Sequence, residues 1–161
     1  MSTVANTSQS AEDAPRRDTL KILSYIFIIV ALFVSGYLTY TKLTNTSAIC
    51  VEDSPVFNCD AVQNSVYAEI LDIPTATWGF ATYTIILALL FFEKRVAFLR
   101  EYGLMILFGV VVFDFAYHCF LTYTAIFTIR ALCPWCLTAH TMITLLLIVT
   151  SIRLWRYFKS A

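Results

Sequence analysis

CPWCLTAHTMITLLLIVTSIRL, residues 133–154, joins a Cys-x-x-Cys pair to a run apolar and long enough to cross a bilayer. Two cysteines three positions apart can close a small reversible disulfide, and such thiols are usually redox-active rather than structural. Arg130 precedes the pair and the apolar run from Leu137 to Leu154 follows it, which puts a dithiol at the mouth of a membrane helix. If the helix starts here, Cys133 takes the cap position and Pro134 the first helical one. The helix N-terminus and Arg130 then both favour thiolate over thiol at Cys133. Cys136 falls one turn inside, towards the bundle interior, with His140 at i+4 on the same face. An imidazole there can stabilise a thiolate or donate to a bound carbonyl. The bland alternatives are a static disulfide or half a metal site for the cysteines, and helix packing for His140.

The rest of the chain agrees with a membrane setting. Of 161 residues, 59% are hydrophobic and 14% charged, too little polar surface for a soluble domain of this size. The formal net charge of zero argues against nucleic acid as a partner. Three more apolar stretches approach the length needed to span hydrocarbon, at about 20–40, 75–92 and 102–129, besides 134–154. Pro74 stands just ahead of the second. The third is long enough to tilt or to project beyond the bilayer. Residues 1–18 are polar, without apolar period or signal-peptide layout, and read as a disordered tail. The expected architecture is all-α and integral to the membrane. Residues 19–161 form a four-helix bundle, with an outer loop at 43–73 between the first and second helices.

Lysine and arginine orient the bundle. Arg16, Arg17, Lys21, Lys94, Arg95, Arg100, Arg153, Arg156 and Lys159 collect on the face that holds both termini, and only Lys42 and Arg130 remain for the other. This bias predicts a multi-pass protein of the cell inner (plasma) membrane, with cytoplasmic termini and both cysteine pairs on the outer face, where disulfides persist. The outer loop carries Glu52, Asp53, Asp60, Glu69 and Asp72. Its apolar spacing at Ala61, Val62, Val66, Tyr67, Ile70 and Leu71 predicts a short amphipathic helix.

Cys50 and Cys59 lie in that loop and could close a disulfide that either turns over or only stabilises. A four-thiolate zinc site is the other option, although structural zinc pairs favour closer spacing. Two pairs on one face suggest thiol–disulfide exchange between them. Asp114 and His118, one turn apart in the third span, are costly there and therefore functional by default. A proton path is the sharp reading. A mutually hydrogen-bonded pair facing other helices is the bland and favoured one. Cys119 beside them reads as a small apolar filler and as the cysteine left unpaired by an odd count.

The succession Cys59-Asp60-Ala61-Val62, Ser65, Ile73-Pro74-Thr75-Ala76 with Trp78-Gly79, and Cys133-Pro134-Trp135-Cys136 resembles the vitamin K epoxide reductase family. Within it, the pattern is most similar to the bacterial branch that drives disulfide formation. The resemblance runs from about Ser35 to His140 and is far more specific than the Cys-x-x-Cys pair alone. It implies a four-helix bundle around a quinone of the ubiquinone or menaquinone (vitamin K) type, and electrons delivered by a thioredoxin-fold partner on the outer side. By the same resemblance Cys136 is the cysteine that meets the quinone, and Cys133 exchanges with the loop. Cys59 forms the mixed disulfide with Cys133, Cys50 receives electrons from the partner, and Ser65 lies near the active site. His140 stands where animal members carry a tyrosine near the quinone. The pocket it implies is apolar, and Trp78, Phe80, Tyr83 and Trp135 are candidates to line it, each also readable as an interfacial belt residue. Two other functions stay open: reduction of quinone or its epoxide for its own sake, and non-catalytic zinc or copper binding by outer thiolates.

Overall fold

In lipid every backbone polar group must be satisfied within the chain, so an apolar run of about 20 residues has little choice but to be helical. The computed structural model describes residues 3–50, 56–93 and 95–160, with side chains between residues 19 and 159. Glu52, Asp53, Pro55 and Lys94 therefore lie outside the described residues. The long helices are α1 (Thr3–Leu43), α3 (Thr75–Phe92), α4 (Ala97–Thr124) and α5 (Pro134–Ser160), with α2 (Cys59–Gln63) a short helix in the connection between α1 and α3. Four segments are long and apolar enough to cross a membrane: Thr19–Leu43, Thr75–Phe92, Ala97–Ile129 and Pro134–Lys159.

Three boundaries differ from expectation. Backbone helix reaches back to Thr3, where a disordered tail is expected, because extending an existing helix adds one hydrogen bond per residue without a new nucleus. The third span begins earlier, at Ala97, and ends in a π-helical turn, Ala125–Ile129. The amphipathic stretch of the outer loop is broken into pieces. Asn58 caps α2, its side chain accepting from the Ala61 N–H, and Asn64 ends the helix after Gln63. A 3-10 turn over Val66–Ala68 follows, and then a minimal hairpin of β1 (Glu69–Ile70) and β2 (Ile73–Pro74). Leu71 and Asp72 at its tip both have positive φ, 53° and 61°, the geometry of a two-residue hairpin turn and not of a helix.

Around the bundle the order is α1, α3, α4, α5, each helix packing on two neighbours. Ile28, Ile86, Leu90, Val111 and Ile143 form the centre of one core cluster. A second cluster, with Val34, Leu38, Cys59, Cys133 and Ala139, closes the cysteine end. Outward faces are apolar as well: Phe33 on α1 is 82% exposed and Phe113 on α4 is 76% exposed. Such residues are liabilities in water and ordinary in lipid. Most serine and threonine hydroxyls within the spans bond to their own helix, as Thr150 Oγ1 does in donating to the Leu146 carbonyl at 2.8 Å.

At the end far from the cysteines, an ion-pair cluster ties three helices. Arg153 Nη2 on α5 donates to both oxygens of Glu93 at 2.8 Å, and Lys21 Nζ on α1 lies 3.4 Å from the same carboxylate. Glu93 follows the C-terminus of α3, where the helix dipole disfavours a negative charge, so its two cations are what make the position tolerable. At the other end Lys42 closes α1 onto the outer loop. It donates to the Gln63 carbonyl at 3.0 Å and pairs with Glu69 at 3.1 Å.

Glu93→Gln leaves Arg153 and Lys21 facing each other without a counter-charge and should lower stability by about 2 kcal/mol. Glu93→Gln with Arg153→Met should cost less than Glu93→Gln alone. Thermal unfolding of the four proteins of this double-mutant cycle in detergent checks the ordering.

Candidate active site

The dithiol is positioned by the way α4 ends. After the π turn the chain reverses through Arg130, which is left-handed at φ 57°, and the Ala131 N–H returns to the Ala125 carbonyl at 3.2 Å. Ala131 to Cys133 then run extended. Leu132 pairs in parallel with Phe57 of the outer loop: the Leu132 N–H donates to the Val56 carbonyl at 2.9 Å and the Asn58 N–H to the Leu132 carbonyl at 3.0 Å. This bridge sets Cys59, which follows Asn58, beside Cys133, which follows Leu132. Both sulfur residues are 2% exposed and share one buried cluster.

Cys50 and Cys59 are joined in a disulfide, with Cα atoms 6.1 Å apart. Cys133, Cys136 and Cys119 are free thiols. Within the loop disulfide the two halves differ in access: Cys59 is buried, whereas Cys50 is half-buried. Cys119 faces outward from α4, so it fills no interior gap. The Cys133 thiol is pulled down to about 7, first by a hydrogen bond from the Cys136 thiol and also by the backbone N–H groups of Cys136 and Trp135, against burial, which pushes it up. The donated N–H groups are those expected at a helix N-terminus. Arg130 is not among these causes. Its side chain is exposed and its backbone makes the turn.

Beneath the two pairs lies a cavity of about 440 Å³, overwhelmingly apolar, enclosed by α1, α3, α4, α5 and the outer loop. Cys133 and Cys136 line it, as do Ser65, Trp78 and Tyr83. Ser65 gives its own hydrogen to the Val62 carbonyl at 2.8 Å. Three candidates stand elsewhere. Trp135 packs at a tilt against Tyr37 with ring centroids 4.8 Å apart and donates Nε1–H to the Ile49 carbonyl at 2.8 Å, so it pins the loop next to Cys50. His140 meets α4 instead, its Nδ1 3.4 Å from Thr122 Oγ1 and its ring 5.7 Å from that of Phe115. Phe80 packs over Gly36, where a Cβ would come within 3.3 Å of its ring. For Trp135 and His140 the reason is helix phase: their Cα positions near Cys136 leave open which way each ring turns.

The cavity wall also holds Asp114 and His118, for which the sequence favours a mutually hydrogen-bonded pair facing other helices. His118 Nδ1 lies 3.0 Å from the Asp114 backbone carbonyl oxygen and 3.6 Å from Oδ2, while Nε2 lies 3.1 Å from Tyr83 Oη. The rarity of ionisable residues in a span was the available signal; the contact with Tyr83, 35 positions away, was not readable. Asp114 Oδ2 and Gln63 Nε2, both on the cavity wall, are buried without a hydrogen-bond partner. An apolar chamber with a few unsatisfied polar atoms suits a ligand that is mostly hydrocarbon and carries oxygen acceptors or donors at its head.

Because the Cys133 pKa is lowered, its thiolate should be present above about pH 7 and lost as pH falls through that value. The ultraviolet thiolate absorbance of the purified protein should show this step, and Cys133→Ser should remove it. Cys136→Ala removes the first-ranked donor, so the midpoint should move up.

The model of the vitamin K epoxide reductase family matches residues 22–151, a range that takes in both cysteine pairs, the cavity, the second and third spans and most of the first and fourth. With the fold and the paired sulfurs already in place, that match settles the family: the chain is a membrane-embedded member of the vitamin K epoxide reductase family, whose members are quinone-linked oxidoreductases.

Proposed function

We propose that the protein is a thiol:quinone oxidoreductase that makes disulfides for exported proteins. The observation that carries this reading is the burial of Cys59 in one cluster with Cys133 beside an apolar cavity, with Cys50, half-buried, the more exposed half of the loop disulfide. A partner dithiol of thioredoxin fold attacks at Cys50. The partner leaves oxidised and Cys50 and Cys59 become thiols. The Cys59 thiolate then attacks Cys133 in the Cys133–Cys136 disulfide, passing through a mixed disulfide, and Cys50 resolves it. This restores the Cys50–Cys59 bond and leaves Cys133 and Cys136 reduced, the arrangement seen here.

A quinone, if bound there, would be the final acceptor for the two electrons of the Cys133–Cys136 dithiol. The chain's own residues fit such a head group: Trp78 and Tyr83 on α3 offer ring faces, and Gln63 Nε2 offers a free donor. Cys136, one turn inside α5, lines the cavity below the loop disulfide. The charge distribution supports an orientation in which the Arg153 end is cytoplasmic and the cysteine end faces the outer compartment of a plasma or inner membrane. Compartment and sulfur chemistry are then consistent, since the disulfides made there persist.

The test is reaction of the reduced, purified protein with a water-soluble quinone, counting free thiols and quinol together. Loss of two or four thiols with matching quinol formation is expected, and intact thiols beside intact quinone would refute the reading. Cys133→Ala or Cys136→Ala should abolish turnover. Cys50→Ala or Cys59→Ala should spare oxidation of a small dithiol and block oxidation of a thioredoxin-fold protein substrate.

A further inference from the structure

Deep in the third span, Asp114 and His118 are ionisable side chains that the sulfur chemistry leaves without a task. Ionisable groups in hydrocarbon are expensive and rarely persist without one. Asp114 and His118 sit one turn apart on α4, and Tyr83 meets them from α3. All three line the same cavity as Cys133 and Cys136. Tyr83 is 1% exposed, and the side chains of His118 and Asp114 are 13% and 6% exposed.

We propose that Asp114, His118 and Tyr83 form a proton relay that ends on the cavity wall and supplies one of the two protons that quinone reduction consumes. This inference rests on the quinone-linked reading above. Two observations separate it from a packing role. First, the His118 ring stands between the other two groups: Nε2 lies 3.1 Å from Tyr83 Oη, and Nδ1, hydrogen-bonded to the Asp114 backbone carbonyl at 3.0 Å, lies 3.6 Å from carboxyl Oδ2, a placement from which a small side-chain rotation lets an imidazole accept a proton at one atom and release one at the other. Second, Asp114 Oδ2 has no hydrogen-bond partner although it is buried. A carboxylate kept for structure is normally satisfied, and this one has an oxygen free to hold a proton.

The charged relay carries its proton on Asp114. His118 Nδ1 is then the acceptor, Nε2–H donates to Tyr83 Oη, and the Tyr83 hydrogen points to an acceptor in the cavity. Discharge moves three hydrogens one place each: carboxyl to Nδ1, Nε2 to Tyr83, Tyr83 to the acceptor. It leaves Nδ1–H beside the Asp114 carboxylate and donating to the Asp114 backbone carbonyl, the contacts seen at 3.6 and 3.0 Å. The step balances. Cys133 as thiolate and Cys136 as thiol form their S–S bond, releasing two electrons and the Cys136 proton to the quinone, while the relay gives the second proton. Asp114 is left as carboxylate and regains the proton that Cys133 had lost to water. Tyr83 is the group that meets the acceptor; His118 and Asp114 are positioning residues that act through it.

Full-length wild type and the variants Tyr83→Phe, His118→Gln, Asp114→Asn and Asp114→Glu are to be compared in detergent with a water-soluble quinone. Thiol exchange between the two cysteine pairs serves as the control for folding. The relay predicts that kcat for quinone reduction falls about 100-fold in the Phe, Gln and Asn variants, the scale of lost acid–base assistance, with KM unchanged. Asp114→Glu should recover most of the rate. Quenching of tryptophan fluorescence by quinone should be unaltered, since Tyr83→Phe keeps the ring face and His118 and Asp114 act through the Tyr83 hydroxyl. An infrared carboxylic-acid band that shifts in heavy water should disappear on quinone addition to wild type and be absent from Asp114→Asn. Wild-type kcat in Tyr83→Phe, which removes only a hydroxyl and keeps the ring's packing, overturns the relay even where another variant fails to fold. So does a raised KM with kcat intact. A wild-type protein that does not react with quinone refutes the parent reading and the relay with it.

Discussion

Everything at the site depends on a short main-chain pairing, that of Phe57 with Leu132. Two backbone hydrogen bonds hold an outer-loop segment against the residue that precedes the dithiol, at a point where neither strand continues. A pairing this small is marginal alone. Here it is supported from both sides: Trp135 clamps Ile49 from the head of α5, and Lys42 clamps Gln63 and Glu69 from the foot of α1. With the loop so held, Cys59 is buried beside Cys133. Thiol–disulfide exchange needs sulfur to reach sulfur, and the fold arranges that by anchoring the backbone on each side of Cys59.

The way α4 ends makes the pairing possible. A helix that ran straight into α5 would leave no extended residue to pair with the loop. The π turn and the left-handed Arg130 stop the helix and let Leu132 offer its backbone N–H and C=O to the outer loop. Residue 130 therefore acts through its φ angle. The electrostatic help expected from its guanidinium comes instead from the Cys136 thiol and from two backbone N–H groups at the start of α5.

The cavity couples this sulfur chemistry to the bundle interior. Its apolar wall suits a hydrocarbon-rich ligand, and polar atoms without partners mark where recognition is concentrated. At the opposite end the Glu93–Arg153–Lys21 cluster fastens α3, α5 and α1, three of the four helices that line the cavity. A chamber held this way can stay open without collapsing onto its ligand site.

The four spans and the sulfur chemistry were legible in the sequence because each rests on a constraint that acts residue by residue. A run of about 20 apolar residues must satisfy its own backbone in lipid, so it is a helix wherever it lies. The leading thiol of a Cys-x-x-Cys pair at a helix N-terminus has its pKa lowered by groups within three residues of it. Tertiary structure alone decided which side chains face the cavity. Span α3 is apolar on every side, so its pattern carries no information about which face turns inward, and Tyr83 could be assigned only by a family likeness. Trp135 and His140, next to the dithiol in sequence, turn to the loop and to α4. The same holds for the outer loop, whose helical spacing gives way to a turn and hairpin once Lys42 and the Phe57–Leu132 bridge fix its ends. The bond between Tyr83 and His118 joins residues 35 positions apart, and it exists because packing sets how far each helix is rotated about its own axis, a quantity that no local pattern encodes.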